Sequence, residues 1–126
     1  MFDENTKMSG SLLFADSDDN GKLLRIKKYA GELIEFTKGM DFEAYQMNMK
    51  VNYACTFAFL QIGTLANRLQ SEIQQKIGIP WRAVSTARNA SVNGHSESHQ
   101  RIIFSEIEKS IPMLIVNLEE LIEAIG

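Results

Sequence analysis

The sequence contains one cysteine, two prolines and two histidines, and each scarcity removes a class of explanation. A lone Cys55 inside an apolar run cannot close an intrachain disulfide. His95 and His99 have no third histidine or accessible cysteine to complete a metal site, so no metal and no cofactor are expected. No apolar run approaches the roughly 20 residues that span a bilayer. A basic-then-apolar signal pattern is also missing from the N-terminus, so no membrane is expected as a partner and a cytoplasmic location is. Strand-like alternation of useful length is absent, as are internal repeats and low-complexity tracts. Positive charge is short as well: the net charge is −3. A protein that coats nucleic acid without sequence preference would be strongly basic, because phosphate neutralisation supplies that affinity.

What is present is helical periodicity and an uneven distribution of charge. The chain of 126 residues is long enough to bury one core without disulfides. Residues 1–20 hold five acidic side chains against Lys7 alone, with one apolar patch at Leu12, Leu13 and Phe14. They read as a flexible or partly docked leader, with a single helical domain over 21–126. The run Asp16 to Gly21 begins like a calcium loop, but the closing position is Lys27, a cation where a bidentate glutamate is needed. It reads instead as a turn into a helix. Between Ile79 and Phe104 the sign reverses, with Arg82, Arg88 and Arg101 against Glu97. A local basic cleft for a phosphate-bearing segment fits that reversal.

From Lys22 to Thr37, Leu23, Ile26, Ala30, Leu33 and Phe36 recur at helical spacing, and Gly39 supplies a stop. Asp41 can cap a short second helix in which Phe42 and Tyr45 lie one turn apart. A long third helix is predicted over Met49 to Lys76, on the stripe Ala54, Ala58, Ile62, Leu65, Leu69 and Ile73. Its first half is apolar on the other faces too, through Cys55, Phe57, Phe59 and Leu60. Such a helix is covered on every side, either by a second subunit on its outer face or within one monomer. Gly63 in its middle points to a close helix approach. After Gly78-Ile79-Pro80, Trp81 and Val84 would anchor a new helix that ends near Val92 at the Asn93-Gly94 turn signal. The last segment carries a seam of Ile107, Ile111, Leu114, Leu118, Leu121 and Ile125, which Pro112 either kinks or restarts. The class is all-α, a domain of four or five helices.

Candidate chemistry concentrates after Pro80. Arg88 could hold phosphate oxygens, and His95, on the turn beyond the helix, could move protons. Asn89 and Asn93 would support substrate or hold the turn. RNA carries its own nucleophile in the 2′-hydroxyl, so such a site needs neither a metal nor a protein nucleophile.

The run Phe59-Leu60-Gln61-Ile62-Gly63, followed by Ile79-Pro80-Trp81-Arg82 and then Arg88-Asn89, resembles the HepT-like toxin family of the HEPN superfamily. The resemblance covers roughly Gly21 to Ile125. It implies an up-and-down bundle of four or five helices, like a nucleotidyltransferase substrate-binding subunit, that dimerises with paired active sites at the interface and cleaves RNA without a metal. It also implies a place as toxin in a type II or type VII-like pair, silenced by a minimal nucleotidyltransferase antitoxin that can transfer AMP to a tyrosine of the motif. The family pattern is Arg, four residues, His, one residue, Tyr. Laid on without a gap, it puts Asn93 at the His position and His95 at the Tyr position, and Thr64 stands where many relatives carry a glutamate. The broader superfamily pattern allows six residues between Arg and His with a polar residue after the Arg, which Arg88-Asn89 and His95 satisfy. The alternative implied by the altered motif is an inactive binding module that keeps only the nucleotidyltransferase partner.

Overall fold

The computed structural model describes residues 17–125. Seven helices, and no strand among the described residues, follow in order: α1 (Ser17–Thr37), α2 (Phe42–Met47), α3 (Met49–Ala66), α4 (Ser71–Ile77), α5 (Trp81–Asn93), α6 (Glu97–Lys109) and α7 (Ile111–Ile125). The all-α class is as expected, but the count is higher than four or five. Two of the seven, α2 and α4, have only six and seven residues. The five long helices close a ring: α1 packs on α3 and α7, α3 on α5, α5 on α6, and α6 on α7. Helix α2 lies against α3 and α6, and α4 against α7.

The predicted periodicities are the faces that fill this ring. In α1, Leu23, Ile26, Ala30 and Leu33 are fully buried, and Gly39 follows the helix with φ 77°. Each large aliphatic side chain so buried contributes about 1.5–3 kcal/mol. Asp41 caps α2 by accepting from the Ala44 N–H at 2.8 Å. The seam of the last segment is buried from Ile107 through Leu121, with Ile125 only half-buried. Ser110 separates α6 from α7, so Pro112 stands in the first turn of a new helix.

Three boundaries or contacts differ from the sequence reading. Helix α1 starts at Ser17, five residues before Lys22, because its acidic first turn docks: Asp19 is buried, with Lys22 Nζ at 3.6 Å and Gln70 Nε2 at 3.5 Å. The expected leader overlaps this helix over its last residues. Its first sixteen, with Asp16 and the patch at Leu12 to Phe14, lie outside the described residues. The third helix is also shorter than predicted and breaks between Ala66 and Ser71. The Arg68 and Leu69 N–H groups donate three residues back, to Leu65 and Ala66 carbonyls, which tightens the chain into a turn. Finally, Val84 is buried but Trp81 is 38% exposed, so Trp81 does not anchor α5 on the core.

The outer face of α3 is open in the single chain. Tyr53 and Phe57 are 60% and 54% exposed, so this helix is not covered on every side within one monomer. No helix among the described residues is long and apolar enough to cross a membrane.

Candidate functional site: a groove between α3 and α5

Gly63 lets α3 and α5 meet. A Cβ at that position would overlap Val84 Cγ1 on α5 and would stand 3.5 Å from Arg88 Nη2. The close approach therefore seats the Arg88 side chain across the glycine. Arg88 is exposed, and its guanidinium has no ion-pair or hydrogen-bond partner among the described residues. A planar cation left with all its donors free is suited to hold phosphate oxygens.

His95 enters the same groove from the connection between α5 and α6. Asn93 is the last residue of α5, one beyond the expected end, and the Gly94 N–H closes the helix on the Ala90 carbonyl at 2.8 Å. Gly94 then has φ 97°, a conformation that a side chain would strain. Two residues later Ser96 caps α6, accepting from the His99 N–H at 3.2 Å. His99 Nδ1 folds back to within 3.0 Å of the Gly94 carbonyl and 3.4 Å of the Ser96 N–H. It bonds the first when protonated and the second when bare. His99 thus clamps the connection at the position where a capping box usually has Glu or Gln. Among the described residues no group of three or more His, Cys, Asp or Glu side chains could hold a metal ion.

Held at both ends, the connection presses His95 onto α3. Its Nε2 lies 2.7 Å from Thr56 Oγ1, and its ring meets Tyr53 edge-on at 5.2 Å. Burial, and secondarily the charge of His99, holds its pKa below the usual imidazole value. The ring is therefore mainly neutral at pH 7. Beside it opens a cleft of about 530 Å³, lined on α3 by Met49, Tyr53, Thr56 and Phe57 and on the other wall by Ser91 and His95. Cys55 takes no part, since burial pushes its thiol up to about 12.

Thr56 and Gly63 are two turns apart on one face of α3, about 10.5 Å along the axis. His95 leans on the first and Arg88 crosses the second, so both lie along the α3–α5 contact, and the cleft is lined by His95 but not by Arg88. Asn89 and Asn93 occupy another side of α5: at about 100° per residue they face away from the wall that Ser91 forms. There the Asn93 Nδ2 donates to Asn89 Oδ1 at 2.7 Å. Arg101 is drawn off as well. Glu97 accepts from its Nη2 at 2.7 Å and its Nε at 2.9 Å, and its guanidinium stacks 4.2 Å from the Phe42 ring centre. Sequence reasoning missed Thr56, Tyr53 and Ser91. The available signal was Thr56, a hydroxyl within the most apolar half of α3.

Comparison with known proteins places this groove in context. A candidate RNase of Methanocaldococcus jannaschii is 22% identical over 98 residues, covering 77% of this chain and 90% of its own. A candidate RNase of Caldanaerobacter subterraneus subsp. tengcongensis is 27% identical over 92 residues, covering 72% and 82% respectively. A further candidate RNase of M. jannaschii is 24% identical over 102 residues, covering 80% and 88%. No solved structure matches significantly. The ribonuclease HepT-like family matches residues 26–121, which take in α3, α5 and α6 whole and most of α1 and α7. The chain belongs to the HepT-like ribonuclease family of HEPN toxins.

Proposed function

We propose that this protein is a metal-independent endoribonuclease, the toxin of a toxin–antitoxin pair, and that the α3–α5 groove is where it cleaves RNA. The observation that carries the reading is a guanidinium without a partner among the described residues and a neutral imidazole, both set along the α3–α5 contact. Arg88 binds the scissile phosphate and stabilises the charge that grows on its non-bridging oxygens. His95 exchanges a proton with the ribose as the 2′-hydroxyl attacks the neighbouring phosphorus. Asn89 and Asn93 support RNA from outside the groove, where their mutual bond also holds the end of α5.

The protein acts as a homodimer in this reading. The exposed Met49, Tyr53 and Phe57 form an apolar strip along α3 beside the groove, and a second copy covers it. The antitoxin is a minimal nucleotidyltransferase, which the family membership supports. The altered motif favours a second reading. Asn93 stands at the family's histidine position, where its amide is bonded to Asn89, so the chain would be an inactive module that binds the nucleotidyltransferase.

Cleavage of a labelled RNA by the purified protein separates the two. Arg88→Ala and His95→Ala should each slow cleavage by about 10²-fold or more. Equal rates in the wild type and both variants would remove the groove from consideration. A wild type that leaves RNA intact yet co-purifies with the nucleotidyltransferase would establish the second reading.

A further inference from the structure

Three buried threonines sit inside long helices, and one behaves differently. Thr37 and Thr86 donate their hydroxyls to carbonyls four residues back, Leu33 at 2.9 Å and Arg82 at 2.8 Å. That local bond is the ordinary resort of a threonine in a helix. Thr56 is 4% exposed, yet its hydroxyl reaches His95 Nε2 at 2.7 Å, across 39 residues of sequence. Thr56 makes no such local bond among the described residues, and its partner is the imidazole instead.

We infer that Thr56 is a positioning residue for His95, holding Nε2 so that Nδ1 is the ring nitrogen that exchanges protons with RNA. A hydroxyl both donates and accepts. For Nδ1 to take a proton it must be bare, so Nε2 carries the hydrogen of the neutral ring and donates it to the Thr56 oxygen, as it also does in the imidazolium. The bond therefore survives both protonation states, and the ring keeps its orientation throughout. Tyr53 fixes the plane from its edge. Nδ1 of His95 has no partner among the described residues, so it is the nitrogen open to a ligand. In the reaction the 2′-oxygen forms its bond to phosphorus and the bond to the 5′-oxygen breaks. The proton from the 2′-hydroxyl passes to Nδ1, while the departing 5′-oxygen takes one from water.

This assignment rests on the ribonuclease reading for its chemistry but not for its geometry, and the test uses both. Thr56→Val keeps the shape and removes the hydroxyl, whereas Thr56→Ser keeps the hydroxyl. In cleavage assays on the full chain, Thr56→Val should lower kcat roughly tenfold with KM unchanged, and Thr56→Ser should stay within about threefold of wild type. In ¹⁵N spectra of the histidine rings, without RNA, Thr56→Val should move the His95 Nε2 resonance, and Thr56→Ser should leave it in place. Thr56→Ala, which cannot overpack, repeats both measurements should Val disturb the fold. An unmoved Nε2 resonance in the hydroxyl-free variants, or a Thr56→Ser as slow as Thr56→Val, would overturn the inference. If the wild type cleaves no RNA, the ribonuclease reading fails, and the spectra alone still decide whether Thr56 holds the ring.

Discussion

Two grooves on this molecule each carry an arginine beside aromatic side chains, and they differ in what their polar groups lack. Between α2 and α6 the arginine is matched, although the buried Tyr45 hydroxyl has no hydrogen-bond partner among the described residues. Arg101 is bonded twice by Glu97 and stacked on Phe42. Beneath it, Asn52 donates to the Tyr45 and Asn48 carbonyls and accepts from Gln100 Nε2 at 3.0 Å. Between α3 and α5, among the described residues, Arg88 has no partner and His95 is tied by one of its nitrogens. Burial favours paired polar groups, so an arginine whose donors are consumed by its own protein is structural. A groove that keeps an unpaired cation and an oriented imidazole is built for something that arrives from outside.

The contrast can be broken from either side. The largest effect should follow loss of Arg88 or His95: a fall in RNA cleavage of about 10²–10⁴-fold, worth about 3–5 kcal/mol of barrier. Arg101→Ala should leave cleavage within threefold and change stability by about 1 kcal/mol or less, since both it and Glu97 are mostly exposed. Gln100→Leu strands the Asn52 acceptor in the core. It should destabilise by about 1–3 kcal/mol in urea unfolding and leave the catalytic groups in place. Gly63→Ala drives a methyl into Val84 Cγ1 where α3 meets α5. Overpacking of about 1–3 kcal/mol outweighs the helix propensity gained, up to about 1 kcal/mol, so a lower Tm and weaker cleavage should appear together.

The smallest effect is pH dependence. The folded pKa of His95 lies below its unfolded value of about 6.5. Folding thus favours the neutral ring, and the unfolded chain takes up the proton first as pH falls. The stability this contributes is complete above about pH 6.5 and is lost as pH drops through the folded pKa. His95→Gln should remove that part of the acid decline of Tm between pH 7 and 5. An identical decline in the variant would mean that other groups account for it.

How much could be read without coordinates follows the same division. Sites where local chemistry dictates the backbone were legible: the Asp41 cap, the stop at Gly39, the turn after Asn93 and the restart around Pro112. The break after Ala66 was not, because Asn67 keeps near-helical angles and Leu69 and Ile73 remain buried beyond it. The four-residue apolar rhythm runs straight through a turn that has neither glycine nor proline to mark it. The early start of α1 was hidden for the opposite reason. Poor helix formers at Asp18, Asp19, Asn20 and Gly21 are overruled by the docking of Asp19 near Gln70. At the site, Arg88 and His95 stood out as polar residues in a short stretch, but their shared floor did not. Gly63 signalled a close helix approach but not which helix, and Thr56, remote in sequence from both, becomes relevant only when α3 and α5 pack.

The central claim is that the unmatched groove, and not the matched one, does the chemistry. Single-turnover cleavage of one labelled RNA by wild type, Arg88→Ala and Arg101→Ala tests it within one molecule. The account predicts a loss of about 10²-fold or more for Arg88→Ala and a rate within threefold of wild type for Arg101→Ala. Equal rates for all three, or a greater loss at Arg101, would contradict it.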